Sequence, residues 1–220
     1  MQGGLMKNIL IWGPARVGKT TLAKKLQNKL GHSIVCTDSL VTAFGQSFPQ
    51  LEIGHGYPHV AMNFAPFIAQ YLCVLARKSK MLNGDKFVAA LTHFSVDDVF
   101  AKMEELLHTL NSSKLHEEFT LIGLTYSHKS WEDIRRDVQT YDTADDWTFQ
   151  LTHNELDAFC KGSVEHNKFF AKKFIEHNFE VYDVSYERDL VLDKIVADLL
   201  ETKKLGRVAT NLKGTCSPSA

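Results

Sequence analysis

Long apolar runs are scarce in this chain of 220 residues: the first, Ile9 to Trp12, is short, and none approaches the roughly 20 residues that a membrane-spanning helix needs. Met1 to Lys7 carries two glycines and a lysine, which is not a signal-peptide pattern, so a cytoplasmic location is expected by elimination. The four cysteines, Cys36, Cys73, Cys160 and Cys216, are far apart and form no C-x-x-C pair. Neither a zinc ribbon nor a disulfide framework is suggested, and free or buried thiols in a reducing compartment are expected. The ten histidines show no HExxH or Cys/His spacing and are assigned no ligand role. Excess charge is missing too: 25 Lys plus Arg nearly cancel 26 Asp plus Glu, so no global field favours nucleic acid or an anionic membrane. Internal repeats and Gly-, Pro- or Ser-rich linkers are absent, and one domain over residues 1–205 with a flexible tail over 206–220 is the expected organisation.

What is present is enough apolar material, 44% of residues, to bury one sizeable core. Five β-rich runs (Lys7 to Trp12, Ser33 to Thr37, Lys86 to Leu91, Phe119 to Leu124, Phe179 to Val184) alternate with helical patterns. Such alternation implies crossover connections and a parallel sheet covered on both faces. Leu22, Leu26 and Leu30 make a helical stripe that Gly31 can stop in the left-handed region. Capping boxes at Ser95/Asp98, Ser130/Asp133 and Thr152/Glu155 open three further helices. Another stripe runs from Ala65 to Ala76 with Pro66 in its first turn, and Leu192, Ile195, Val196, Leu199 and Leu200 mark a last helix. Gln139 to Phe149, polar and between two capped helices, is the best candidate for a mobile lid. Phe159, Phe169, Phe170 and Phe174 read as core, and Lys24, Lys25 and Lys29 as the wet face of the first helix.

The segment Gly13-Pro14-Ala15-Arg16-Val17-Gly18-Lys19-Thr20 matches G-x-x-x-x-G-K-[ST], is followed by Thr21, and sits between an apolar strand and an amphipathic helix. Backbone N–H groups can surround a β-phosphate only where glycines leave room, and the following helix N-terminus adds partial positive charge. Lys19 then reaches the β and γ phosphates, and the Thr20 hydroxyl offers one magnesium position. A nucleoside triphosphate with Mg2+ is therefore the expected ligand. A GTPase would need D-x-x-G and N-K-x-D; Asn28-Lys29 and Asn167-Lys168 lack the aspartate, and D-x-x-G does not occur. Remodelling ATPases carry an acid directly after an apolar strand, whereas Phe87 to Leu91 runs into Thr92-His93. Asp97 and Asp98 read as first-turn acids beside Ser95.

With those classes set aside, the Walker A segment and looser features to about Leu200 resemble the P-loop nucleoside and nucleotide kinase superfamily, which contains adenylate, shikimate and uridine kinases. The resemblance implies a three-layer αβα sandwich with a five-stranded parallel sheet in the order 2-3-1-4-5 and a lid near residues 127–149. It also implies ATP-dependent transfer of the γ-phosphoryl group to a hydroxyl of a small metabolite or nucleoside. Asp38, just after the second strand, takes the place where such kinases hold an aspartate near the acceptor hydroxyl and the magnesium shell; its plainer role is a helix N-cap. Arg135 and Arg136 resemble lid arginines that neutralise the transferring group, and otherwise pair with Glu132 or Asp133 on a solvated helix. Tyr182 to Tyr186 falls where these kinases pack a loop on the base, and His55-Gly56-Tyr57-Pro58-His59 where acceptor-binding insertions occur. No substrate signature is matched, so the sequence names no acceptor. A nucleoside monophosphate kinase and a regulatory NTP-binding module that hydrolyses slowly or not at all stay open as alternatives.

Overall fold

Asn8-Ile9-Leu10-Ile11-Trp12 forms strand β1, and all five residues are buried. An apolar run without polar alternation suits a strand covered on both faces. The side chains divide by parity: Leu10 and Trp12 join one core cluster, Ile9 and Ile11 the other. The computed structural model describes residues 7–52, 67, 68, 70–72, 74, 75, 87–90, 119–144 and 146–213, with backbone only for Asp38, Trp147, 87–90 and 202–213.

Four strands pair with β1 directly or through a neighbour: β2 (Ser33–Cys36), β3 (Phe87–Ala90), β4 (Phe119–Thr125) and β5 (Glu180–Asp183). All pairings are parallel, and the sheet order is β2-β3-β1-β4-β5. Helix α1 (Lys19–Leu30) follows the loop after β1, and α2 (Thr37–Ser47) leaves β2 directly. Helices α3 (Trp131–Tyr141) and α4 (His153–Glu176) lie between β4 and β5, and α5 (Arg188–Lys213) closes the described chain. This is the parallel α/β architecture that the alternation of strands and helices predicts.

One face of the sheet buries Leu22, Leu26, Leu192, Ile195 and Val196 from α1 and α5. The opposite face holds Val41, Ile68, Leu72, Phe170, Phe174 and Phe179 around Trp12. Ile68, Leu72 and Leu75 are buried residues of the helical stripe expected there; Ala65, Pro66, Ala69 and Ala76 lie outside the described residues. Each large side chain so buried contributes roughly 1.5–3 kcal/mol. Phe170 and Phe174 are core as expected, while Phe159 and Phe169 are only partly buried.

The local signals hold where they are described. Gly31 ends α1 at φ 75°, and both capping boxes close reciprocally, Ser130 with Asp133 and Thr152 with Glu155. The Ser95/Asp98 box with Asp97, the fragment from His55 to His59, Cys73 and Cys216 lie outside the described residues. Cys36 is half-buried and Cys160 buried, both free thiols. Two boundaries differ from expectation. Asp38 is not the N-cap of α2: the helix starts at Thr37, its N-cap is Cys36, and Asp38 stands second in the helix. The cause is that the extended Cys36 (φ −95°, ψ 115°) passes straight from β2 into the helix without a loop residue to serve as a cap. The last helix also continues past Gly206 to Lys213, where fading periodicity predicts a tail.

Candidate functional site

Parallel strands deliver their following loops to one edge, and register says which residues meet there. Ala90 of β3 is level with both Ile11 and Cys36, so Gly13 and Asp38 stand the same two residues beyond that level. β3 lies between β1 and β2, which separates their ends by about 10 Å. Trp12 is level with Gly123, and Leu124 with Tyr182, which brings Tyr126, Ser127 and the Asp183–Tyr186 turn to the same edge.

The loop between β1 and α1 has the backbone of an anion cradle. Arg16 and Gly18 adopt positive φ, 65° and 99°, two residues apart, and Gly18 is the N-cap of α1 without any side-chain cap. Alternating handedness of this kind turns successive N–H groups toward a common concavity, and an uncapped helix start adds to it. Gly13 is required for another reason. A Cβ there would lie 2.4 Å from the Leu124 carbonyl oxygen and 2.9 Å from Val17, so the loop can leave β1 beside β4 only as glycine. Pro14 and Val17 are buried and Ala15 half-buried, while Thr20 and Thr21 are exposed at the start of α1. The Lys19 ammonium donates to the carbonyls of Gly13 (2.9 Å) and Pro14 (2.7 Å), folding its charge back over the loop.

Behind the loop, Tyr126 donates its hydroxyl to the Ala15 carbonyl at 3.0 Å. Burial pushes this phenol up to about 12, so it stays protonated and keeps donating. The Tyr126 N–H is accepted by Asn167 Oδ1 at 2.8 Å, and Asn167 Nδ2 donates to the Ser163 carbonyl at 2.7 Å. Asp183 ties the neighbouring loops together, accepting from the Ser127 N–H and hydroxyl and from the Ser185 N–H. Partial burial works to raise its carboxyl, but those hydrogen bonds prevail and hold it below the ordinary aspartate value. His128 N–H donates to Ser185 Oγ, completing a braced edge from Tyr126 to Ser185.

The expected lid arginines have carboxylate partners. Arg135 Nε is 3.0 Å from Asp157 of α4, close but without hydrogen-bond alignment, and Arg136, exposed, pairs with Asp133 one turn away at 3.1 Å. Neither is shown at the loop. Two other arginines are there. Arg16 reaches the connection between α3 and α4, and Arg188 has Cδ 3.5 Å from where a Cβ on Gly18 would stand, with its guanidinium 5.6 Å from the centre of the Tyr141 ring. Sequence reasoning counted Arg16 in the cradle without a separate role and passed over Arg188, Tyr126 and Asn167. Asn167 stands among Glu165, His166 and Lys168, so nothing in the neighbouring sequence marks it as buried. Among the described residues no cluster of three or more His, Cys, Asp or Glu gathers to hold a metal, and no helix is long and apolar enough to cross a membrane.

No family model matches the chain, and no curated protein matches it in sequence. Solved structures do match. The shikimate kinase from Bacteroides thetaiotaomicron superposes with a TM-score of 0.55 at 14% identity, covering 90% of this chain and 98% of that one. The chain has the fold of shikimate kinases. A second, from Acinetobacter baumannii and in complex with shikimate, superposes with a TM-score of 0.52 at 18% identity, covering 90% of this chain and 95% of that one. The likeness extends over nearly the whole length of each kinase.

Proposed function

We propose that this protein is a small-molecule kinase that binds ATP with magnesium at the Gly13–Thr21 loop and transfers the γ-phosphoryl group to a hydroxyl of a small metabolite or nucleoside. The observation that carries the reading is the loop: positive φ at Arg16 and Gly18, an uncapped helix start, and the Lys19 ammonium held at the loop by carbonyls that a phosphate can replace. The shared fold supports it, because shikimate kinases are phosphotransferases built on the same frame.

In this reading Lys19 neutralises charge on the β and γ phosphates, and Tyr126 keeps the loop carbonyl of Ala15 turned away from them. Asp38, in the first turn of the helix that leaves the same sheet edge, accepts the proton of the acceptor hydroxyl. Magnesium is a hard cation that takes oxygen donors and keeps most of its shell as water and phosphate oxygens, so the exposed Thr20 hydroxyl fits it, and a carboxylate such as that of Asp38 is the other donor type it would take. When bound, the ion would supply positive charge that neutralises phosphate oxygens of the ligand. Arg135 and Arg136 serve as lid arginines only after leaving Asp157 and Asp133. The reading places the protein in the cytoplasm, with no nucleic acid or membrane partner.

Lys19→Ala tests it. The variant should stay folded, since it removes a half-buried charge that bonds the loop carbonyls of Gly13 and Pro14 and not a core side chain, and should lose most ATP affinity and turnover because no neutral side chain replaces a point charge. Calorimetry that found ATP affinity unchanged would sink the nucleotide-site assignment.

A further inference from the structure

Arg16 belongs to the phosphate loop, yet its guanidinium is engaged elsewhere. It lies 2.8 Å from Asp142, the C-cap of α3, and 2.8 Å from Asp146, and it donates to the Thr148 hydroxyl as well. Thr148 is buried and donates in turn to Asp142, whose side chain is only 6% exposed. Asp146 is braced from its other side by the Thr143 N–H at 2.9 Å and the Thr143 hydroxyl at 3.2 Å. One cation thus gathers three residues of the connection between α3 and α4.

Among the described side chains, little large apolar surface flanking this stretch is buried. Tyr141 and Phe149, large hydrophobics flanking this stretch, are 65% and 61% exposed. A lone surface ion pair holds almost nothing, but a guanidinium fork shared by two carboxylates and a buried hydroxyl is the geometry in which such pairs count. Arg16 is at once a residue of the loop and the ion-pair partner of two carboxylates. Phosphate oxygens and the Asp142 and Asp146 carboxylates then compete for the same guanidinium.

We propose that Arg16 is a latch that docks Asp142, Asp146 and Thr148 of the α3–α4 connection as a strap on the phosphate loop, and that release of the strap gates entry and exit of the phosphate ligand. The gate rests on the nucleotide-site reading above; the latch itself does not. Arg16 is here a positioning residue, acting through the strap.

The test is hydrogen exchange on the full chain without ligand, comparing wild type with Asp142→Asn/Asp146→Asn, followed by stopped-flow binding of a fluorescent ATP analogue. Amides of residues 142–150 should exchange at least ~10-fold faster in the variant while α1 and α4 keep their protection, because only a local opening is made easier. Association and dissociation of the analogue should both speed up several-fold. Arg16→Lys, which keeps the charge but loses the fork, should fall between. Unchanged exchange in 142–150 would overturn the latch, and faster exchange with unchanged binding rates would overturn the gate. If the wild type bound no analogue, the nucleotide reading and its gate would fall together, while exchange still decided the latch. Should the double variant not fold, Asp146→Asn alone and wild type in about 0.5 M salt, where partly exposed pairs are screened, carry the same comparison.

Discussion

Tyr126 and Asn167 show how a single residue sets the shape of the loop from behind. Tyr126→Phe removes the hydroxyl that bonds the Ala15 carbonyl and should cost about 1 kcal/mol. Asn167→Leu leaves the buried Tyr126 N–H without its acceptor, a desolvated donor worth about 1–3 kcal/mol. Urea denaturation should therefore rank Asn167→Leu as the more damaging, and the opposite order would mean that the hydroxyl, not the amide, braces the loop. Neither role was legible beforehand. Asn167 meets Tyr126 across 41 positions of chain, and nothing local in either segment reports on a partner that tertiary folding supplies. The glycines and Lys19 were legible because their chemistry is contained in eight consecutive residues.

Elements were readable wherever their signals were local. The boxes at Ser130 and Thr152 each need only a hydroxyl and an acid three residues on, and both close as expected. The start of α2 was misread because aspartate's preference for the cap is a statistical pull, whereas β2 runs straight into the helix and places Asp38 one position too far inside. Two glycines separate the demands of strand and helix. A Cβ on Gly123 of β4 would come within 2.5 Å of the buried Phe174 ring, while one on Gly162 of α4 meets nothing within 4 Å. Gly123→Ala should thus destabilise by about 1–3 kcal/mol through overpacking. Gly162→Ala should stabilise by roughly 0.5–1 kcal/mol, since it only removes unfolded-chain freedom from a helix interior. Thermal melts of the two variants should move in opposite directions, and a common sign would place Phe174 or Gly162 in surroundings other than those described.

At the scale of the whole molecule, the sheet edge is what assembles the site, and Asp38 is the residue whose role depends most on it. The order β2-β3-β1 and the shared register at Ala90 bring the start of α2, which carries Asp38, to the same sheet edge as the start of the Gly13 loop. The sequence could indicate an acid after the second strand; only pairing shows that this strand ends at the same edge as β1. If Asp38 accepts the acceptor proton or holds a magnesium-bound water, Asp38→Asn keeps the shape and removes the charge those tasks need. Its place inside the first turn of α2 changes the stability side of the argument. Asparagine there gives up a favourable charge at the helix N-terminus, worth about 0.3–1 kcal/mol, instead of exchanging one good cap for another. The variant should melt only slightly lower, bind metal-free nucleotide as wild type does, and transfer phosphoryl groups on the order of 100-fold or more slowly. Full activity per folded molecule, with the loss confined to melting temperature, would make Asp38 a helix-start residue and return the search for a general base to the rest of the edge.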